Sequence, residues 1–384
     1  MSQAVAVAPP AAAPGFFQRD LVAYAILAAF VVLTLPLALL WSYDPASPRI
    51  GAILFVYLVG LGLTHFVLTP TVYLQSSNLR YFNGSWRNRV IYFAIPVAIL
   101  IFFDLYATFQ VAVLFPVVAM IVRTGIRALD FQHFSRQTFG VLQLYKARSG
   151  CKFPAWIKRI ESLYYFALTL LLFSTFLGGG KFTVDNFAAS VIGVVAVVLF
   201  GMMATGFGLA FLRSANPREV FLPLVYFLFQ TGAAMLAAYN LAFYGLALAM
   251  HYVEYHLLMA PRCFGSKLDP GRPVDRAFGF IRANKFVFYS LLVFVAFVVF
   301  VFTVDFTAML AMLGGTAENG RDGQAASLLL FAVFDGLFVF HYFLESFIWR
   351  FSEPYYRQTL SPLYFTPKPV PAPAPQLAPV KVPA

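Results

Sequence analysis

Long apolar runs separated by short polar or basic segments make up most of this chain. About 20 apolar residues in a helix cross the hydrocarbon core of a bilayer, and many of the runs have that length. The pattern predicts an all-α, polytopic helical membrane protein of about ten transmembrane helices. The candidate spans are 21–41, 50–74, 90–104, 104–133, 162–177, 188–211, 220–239, 240–260, 286–303 and 326–349.

Two of these runs are too long for one span and must be divided. We place one break near Asp104 and the other at Tyr239–Asn240. With both breaks, Lys and Arg cluster after every second span and after the last one. This alternation predicts that both termini are cytoplasmic, because basic loops stay on the cytoplasmic side.

The chain divides into one membrane domain and two polar ends. Residues 21–350 are expected to form a single transmembrane helical domain. Residues 1–20 form an N-terminal cytoplasmic segment without the features of a cleavable signal peptide, and residues 351–384 form a cytoplasmic Pro/Ala-rich tail. We expect the protein to lie in a bacterial inner (cytoplasmic) membrane.

Composition supports a membrane location and argues against nucleic-acid binding. Hydrophobic residues make up 61% of the chain and charged residues only 11%, too few to cover a soluble domain of this size. The net charge of +11 comes from basic residues clustered in the loops. The expected partners are the lipid bilayer and an apolar small-molecule substrate.

All five histidines lie in or beside apolar segments, where ionisable groups need a partner, a cavity or a metal. The segment 249–262, AMHYVEYHLLMAPR, holds two of them. The predicted topology places all five at middle to cytoplasmic depth, which favours one shared intramembrane site. The candidate metal ligands are His65, His133, His251, His256 and His341.

Polar neighbours accompany these histidines at helical spacing. They are candidate additional ligands or groups that orient the imidazoles: Glu254, Glu345, Asp130, Gln137 and Tyr255. Imidazole with oxygen donors suits iron, zinc, copper or manganese. His251 and His256, however, are separated by about 140° around an ideal helix, so both face one metal only if the helix is distorted or the site is wide.

Other interpretations of the same residues stay open. Buried histidines also pack helices together through hydrogen bonds. Glu254 and Glu345 are alternatively ion-pair partners of Arg262 and Arg350 near the membrane surface. The chain has no P-loop, Rossmann glycine pattern, nucleophile elbow, HExxH motif or CxxCH haem motif. It also lacks the clustered histidine boxes of membrane desaturases.

The segment His341-Tyr-Phe-Leu-Glu345-Ser-Phe-Ile-Trp-Arg350 resembles the last histidine motif of the bacterial Brp/Blh family of membrane β-carotene 15,15'-dioxygenases. The order of the histidines along the chain is similar too. The resemblance implies a non-haem iron that cleaves a carotenoid with O₂, held by the five histidines. The chain departs from the family at His65, which lacks the Pro-His-Gly context, and in the spacing between His251 and His256.

Three functional hypotheses follow. The first is a membrane metalloenzyme, a non-haem iron oxygenase or oxidase acting on a carotenoid, isoprenoid or fatty acyl chain. The second is a haem- or chlorin-binding membrane protein with histidines as axial ligands. The third is a transporter or scaffold in which the polar groups carry protons or pack helices.

Overall fold

The computed structural model describes residues 58–109, 111–149, 152–183, 185–214, 217–303 and 335–364, and the regular elements in these ranges are all helical. The main helices are α1 (Thr64–Leu68), α2 (Ser76–Asn83), α3 (Ile95–Thr108), α4 (Pro116–Ser149), α5 (Ile157–Leu177), α6 (Phe187–Arg213), α7 (Pro217–Tyr239), α8 (Tyr244–Gly265), α9 (Pro273–Arg282), α10 (Lys285–Thr303) and α11 (335–348).

Shorter helical turns connect or extend these helices. α1 is preceded by the π-helical turn Leu58–Leu63 and followed by the 3₁₀ turn Thr69–Leu74. The remaining short elements are Trp86–Arg89, Val90–Ala94, Val111–Leu114, Leu241–Phe243, Pro354–Thr359 and Ser361–Tyr364.

Four of the described helices are long and apolar enough to cross a membrane: Trp86–Tyr106, Ile157–Leu177, Phe187–Arg213 and Val220–Tyr239. The pair α9 and α10 also passes this test together, but the two helices meet at 103°. These helices fit a membrane protein. The predicted span 21–41 lies outside the described residues, as do parts of the second and tenth predicted spans.

The break that the sequence predicts near Asp104 lies further along the chain. α3 continues through Asp104 to Thr108, and α4 begins at Pro116. Proline has no backbone N–H to donate to a preceding turn, so it favours the first position of a helix. The acidic side chain was therefore the wrong marker, and the proline marks the start of the next helix.

The predicted break at Tyr239–Asn240 is confirmed, because α7 ends at Tyr239. The connection after it pairs with the glycine turn that follows α5. Phe182 N–H donates to the Tyr239 carbonyl at 2.8 Å, and Leu241 N–H donates to the Gly180 carbonyl at 2.9 Å. Gly180 has φ +88°, a left-handed conformation that only glycine adopts readily.

The helices pack into one bundle around α4. α5 packs against α6 and α4, α7 packs against α4 and α8, and α10 packs against α1. The 34 residues of α4 span about 50 Å, which exceeds the roughly 30 Å apolar thickness of a bilayer. Helix α4 therefore extends beyond the apolar core at one or both ends.

Large apolar side chains cover the outside of the bundle. Val194 on α6 and Phe294 on α10 are 65% and 60% exposed. A contiguous apolar surface of this kind is expected where lipid chains surround the protein.

The first part of the predicted tail packs against the bundle. Tyr355 donates to the Asn78 side chain at 2.8 Å, and Tyr356 donates to the Tyr92 hydroxyl at 3.0 Å. Tyr356 and Tyr364 are fully buried. Packing against the bundle therefore continues beyond residue 350, the predicted end of the membrane domain. Residues 365–384 lie outside the described part of the chain.

Candidate metal centre

Four histidines from four separate segments meet inside the bundle. His65 lies on α1, His133 on α4, His251 on α8 and His341 on α11. One possible ligand atom from each lies within 4.8 Å of the others. All four residues are buried, with at most 5% of each exposed. This arrangement could hold a metal ion at the centre of the four imidazoles, which we call the histidine centre.

His65 and His341 are the closest pair. Their Nε2 atoms lie 2.9 Å apart, and the ring centroids are separated by 4.3 Å. On the other side of the His341 ring, Nδ1 lies 2.6 Å from the Thr69 hydroxyl oxygen, which lies 2.6 Å from the Tyr255 hydroxyl. An Nδ1–H that donates to Thr69 leaves the lone pair of Nε2 facing the centre.

Glu345 contacts the histidine centre from one helical turn beyond His341. Its Oε2 atom lies 3.3 Å from His133 Nε2 and 3.5 Å from His341 Nε2, while Oε1 accepts a hydrogen bond from Trp349 Nε1 at 3.1 Å. The carboxylate thus connects two of the four imidazoles. It is placed either to bind a metal directly or to orient its ligands.

The structure places His251 in the histidine centre and His256 outside it. The His251 ring lies 4.9 Å from the His65 ring and 5.0 Å from the His133 ring, measured between centroids. The His256 ring is 6.5 Å from His65, and its Nε2 atom lies 3.2 Å from the Thr64 hydroxyl. α8 stays helical between them, so the 140° separation directs only His251 into the centre.

In the described part of the chain, no hydrogen bond or ion pair joins the other three predicted polar neighbours to the four imidazoles. Asp130 forms an ion pair with Arg127, with 3.3 Å between Oδ2 and Nη1. Gln137 and Glu254 have buried polar atoms that make no hydrogen bond of normal geometry with any described residue. Asp130 thus forms a local ion pair on its own helix rather than orienting His133.

The alternative ion pairs with arginine are absent from the described part of the chain. Arg262 Nη1 instead donates to the Ile348 carbonyl at 3.1 Å, and Arg350 Nε donates to the Ser346 carbonyl at 2.8 Å. Both arginines therefore bind carbonyl groups near the end of α11. This is a favourable place for a cation, since the helix dipole is negative there.

Aromatic side chains enclose the histidine centre. The Tyr342 ring lies 4.7 Å from the His133 ring, the Tyr252 ring 5.0 Å from the His65 ring, and the Phe66 ring 5.3 Å from the His341 ring. Tyr342 also donates to the Gln132 side chain at 3.1 Å. These rings exclude bulk water from the imidazoles and fix their orientation.

Asp275 fixes the polar connection that follows α1. Its carboxylate accepts hydrogen bonds from the Ser76 N–H at 2.6 Å, the Ser76 hydroxyl at 2.9 Å and the Asp269 N–H at 2.6 Å. Burial raises the pKa of Asp275, but these three hydrogen bonds and the nearby Arg80 outweigh it, so the pKa lies below its ordinary value. The ionised carboxylate therefore ties α9 to the start of α2.

Sequence reasoning missed the two threonines that contact the histidines, Thr64 and Thr69. Their spacing carried a usable signal, because Thr69 follows His65 by about one helical turn. Threonine is nevertheless common in membrane helices, where its hydroxyl usually bonds to its own backbone. Only the contact between helices distinguishes Thr69.

Comparison with protein-family models, with curated proteins and with solved structures gives no match for this chain.

Proposed function

We propose that this protein is an integral membrane metalloenzyme whose histidine centre binds a metal ion. The convergence of His65, His133, His251 and His341 carries the proposal. Four buried imidazoles are costly to assemble for packing alone, because the hydrogen-bonding capacity of their ring nitrogens must be met. A bound cation would be coordinated by the lone pairs of the ring nitrogens that face the centre.

Iron is the metal that we propose for this centre. The donors are imidazole nitrogens with the Glu345 carboxylate nearby, a set that suits non-haem iron. Zinc, copper and manganese accept similar donors, so elemental analysis must choose among them. When bound, a non-haem iron would supply activation of O₂; the protein's own groups would hold it and keep the site dry.

The proposed substrate is lipid-soluble: a carotenoid, an isoprenoid or a fatty acyl chain. The centre is enclosed by aromatic rings inside a bundle with an apolar exterior, so a substrate dissolved in the bilayer could approach it laterally. The resemblance of His341–Arg350 to the Brp/Blh dioxygenase motif favours oxidative cleavage of a carotenoid. We further propose ten spans, cytoplasmic termini and a bacterial inner-membrane location.

The geometry favours a bare metal over haem. Haem provides its own equatorial nitrogens and takes protein ligands only above and below its plane. Here four imidazoles converge on one point, and His65 and His341 are separated by only 2.9 Å between Nε2 atoms. The macrocycle would have to occupy the space that these rings fill.

Elemental analysis and an absorption spectrum of one sample test the proposal. The full chain would be purified in detergent without chelator. We expect close to one iron per chain and no Soret band. A Soret band would overturn the proposal in favour of the haem hypothesis. A full equivalent of another metal would overturn the choice of iron but keep the metal site. Neither metal nor pigment would leave the transporter or scaffold hypothesis.

Activity would then be tested on carotenoids, isoprenoids and fatty acids with O₂. The expected result is product formation with O₂ consumption, both lost in His341→Ala and retained in His256→Ala. An active iron-free protein would contradict the proposal.

A further inference from the structure

A second group of buried polar side chains lies beside the histidine centre. It consists of Gln137 on α4, Tyr165 on α5, Tyr226 on α7 and Glu254 on α8, and we call it the Glu254 group. Glu254, Tyr165 and Tyr226 are each at least 97% buried. The group is thus enclosed by four helices that pack against one another.

Within the described residues, the polar atoms of this group make no hydrogen bond of normal geometry. Both carboxylate oxygens of Glu254, both amide atoms of Gln137 and the hydroxyls of Tyr165 and Tyr226 are buried in this state. An unsatisfied buried polar atom is destabilising, so buried polar atoms are almost always hydrogen-bonded to protein or to ordered water. Several together indicate a bound polar ligand.

The chemistry of the group identifies water and a proton as that ligand. Tyr226 faces Glu254, but the two do not form a direct hydrogen bond of normal geometry. In the described part of the chain, no basic side chain contacts Glu254. A buried carboxyl group without a cation is far less costly when it carries a proton. Hydroxyls, an amide and a carboxyl group also provide the several partners that a buried water needs.

On one side, the Glu254 group adjoins the histidine centre. Glu254 follows His251 by about one helical turn on α8, and Gln137 follows His133 by about one turn on α4. Helices α4 and α8 pack together, and on each of them one helical turn separates a histidine of the centre from a member of the Glu254 group.

On the other side, the group approaches a buried ion pair near the helix ends. Lys146 Nζ donates to both carboxylate oxygens of Glu161, at 2.8 and 2.9 Å. Tyr165 lies one turn beyond Glu161 on α5, and both residues are buried. Helical spacing on α4, α5 and α8 thus places polar groups between the Lys146–Glu161 pair and the histidine centre.

We propose that the Glu254 group is a water-containing proton site that connects the Lys146–Glu161 pair with the histidine centre. A proton from solution reaches one oxygen of Glu254 through water beside Tyr165. The proton on the other oxygen leaves through water beside Gln137. Glu254 is then again singly protonated, so the transfer balances. The role of these protons at the histidine centre rests on the proposed function. The protonation and hydration of Glu254 do not depend on it.

Infrared spectroscopy of the full-length protein in lipid nanodiscs tests this proposal. We expect a carboxylic acid C=O band that shifts when H₂O is replaced by D₂O and that disappears in Glu254→Gln. Glu161→Gln is the matched control and keeps the band, because the band is assigned to Glu254 and Glu161 instead forms an ion pair with Lys146. A band that persists in Glu254→Gln, or no acid band, would overturn the proton site.

A second pair of variants tests the hydrated connection and needs no change at Glu254. Tyr165→Phe removes a hydroxyl from the Glu254 group, so the D₂O shift of the acid band should become at least several-fold slower. Tyr164→Phe is the control, because Tyr164 is an equally buried tyrosine on the same helix and is not a member of the Glu254 group. Equal exchange rates in wild type and both variants would overturn the route through Tyr165.

Metal content separates this proposal from the proposed function. Glu254→Gln should retain metal, and wild-type protein stripped of metal should keep the acid band. An acid band in a protein that binds no metal would support the proton site and contradict the metalloenzyme. A full equivalent of metal without any acid band would support the metalloenzyme and contradict the proton site.

Discussion

The Nε2 atoms of His65 and His341 lie 2.9 Å apart, although the two residues come from opposite ends of the described chain. At this distance the nitrogens either share one proton or both direct lone pairs at a cation. Replacing either by alanine should abolish tight metal binding. The loss should exceed the roughly 10- to 100-fold that follows removal of an outer hydrogen-bond partner. Elemental analysis after dialysis against a weak chelator measures it.

His251 and His256 provide a matched pair on one helix. His251→Ala should lose metal as His65→Ala does, because its ring faces His65 and His133. His256→Ala should retain the metal, because its Nε2 atom contacts Thr64 instead. Metal content per chain, compared between the two variants, checks this. Equal losses would show that His256 is a ligand and that the helix deforms on binding.

Thr69 should contribute to metal affinity without touching the metal. Thr69→Val removes the partner of His341 Nδ1, so affinity should fall about 10- to 100-fold. Thr71→Val is a suitable control, since Thr71 is also buried but bonds to the Leu68 carbonyl and contacts Cys263. Competition with a coloured chelator gives both affinities. A similar effect in the two variants would mean general destabilisation.

Glu345 and Glu254 should differ when each is changed to glutamine. Glu345→Gln should weaken metal binding at least about 10-fold, because its carboxylate contacts both His133 and His341. Glu254→Gln should leave metal affinity unchanged. The same chelator titration compares them, with gel filtration to confirm that both variants are monodisperse. Unchanged affinity in Glu345→Gln would exclude a role for this carboxylate at the centre.

Lys146 and Glu161 should show strong coupling in stability. Lys146→Met leaves the fully buried Glu161 without its cation and should destabilise the protein by about 3–5 kcal/mol. The double variant Lys146→Met/Glu161→Met should recover much of this loss, since two apolar side chains replace two charges. Unfolding in a denaturing detergent series measures Lys146→Met, Glu161→Met and the double variant. Additive losses would contradict the buried pair.

Asp275 should give the stability a specific pH dependence. Its folded-state pKa lies below the unfolded value of about 3.9, so the ionised form stabilises the fold above that pH. This contribution is lost as the pH falls through about 4 toward the folded-state pKa. Asp275→Asn should therefore lower the thermal midpoint at neutral pH, with a difference that shrinks in acid.

Thermal unfolding of wild type and variant across this pH range checks the Asp275 prediction. Asp269→Asn is the control: the Asp269 side chain is about half exposed, although its Oδ1 atom accepts a hydrogen bond from Gly271 N–H. A difference between Asp275→Asn and wild type that stays constant down to acid pH would mean that the carboxylate is not the stabilising form.

The sequence by itself determined the helical class and several helix ends. Apolar runs of membrane length and the glycine turn at 178–180 are local features, so they can be read along one chain. The shared face of His341 and Glu345 is local too, because helical periodicity fixes it. Near Asp104 the helix end could not be predicted from the charged side chain, because α3 continues through it; only Pro116 restricts the backbone, and α4 begins there.

The tertiary structure decided which polar groups meet. Helical spacing showed that His251 and His256 diverge, but only the position of α8 relative to α1 and α4 selected His251. The contacts of Glu345 with His133 and of Thr69 with His341 join residues far apart in sequence. Such contacts depend on how helices cross, and crossing is set by the packing of whole helix surfaces, which no local pattern records.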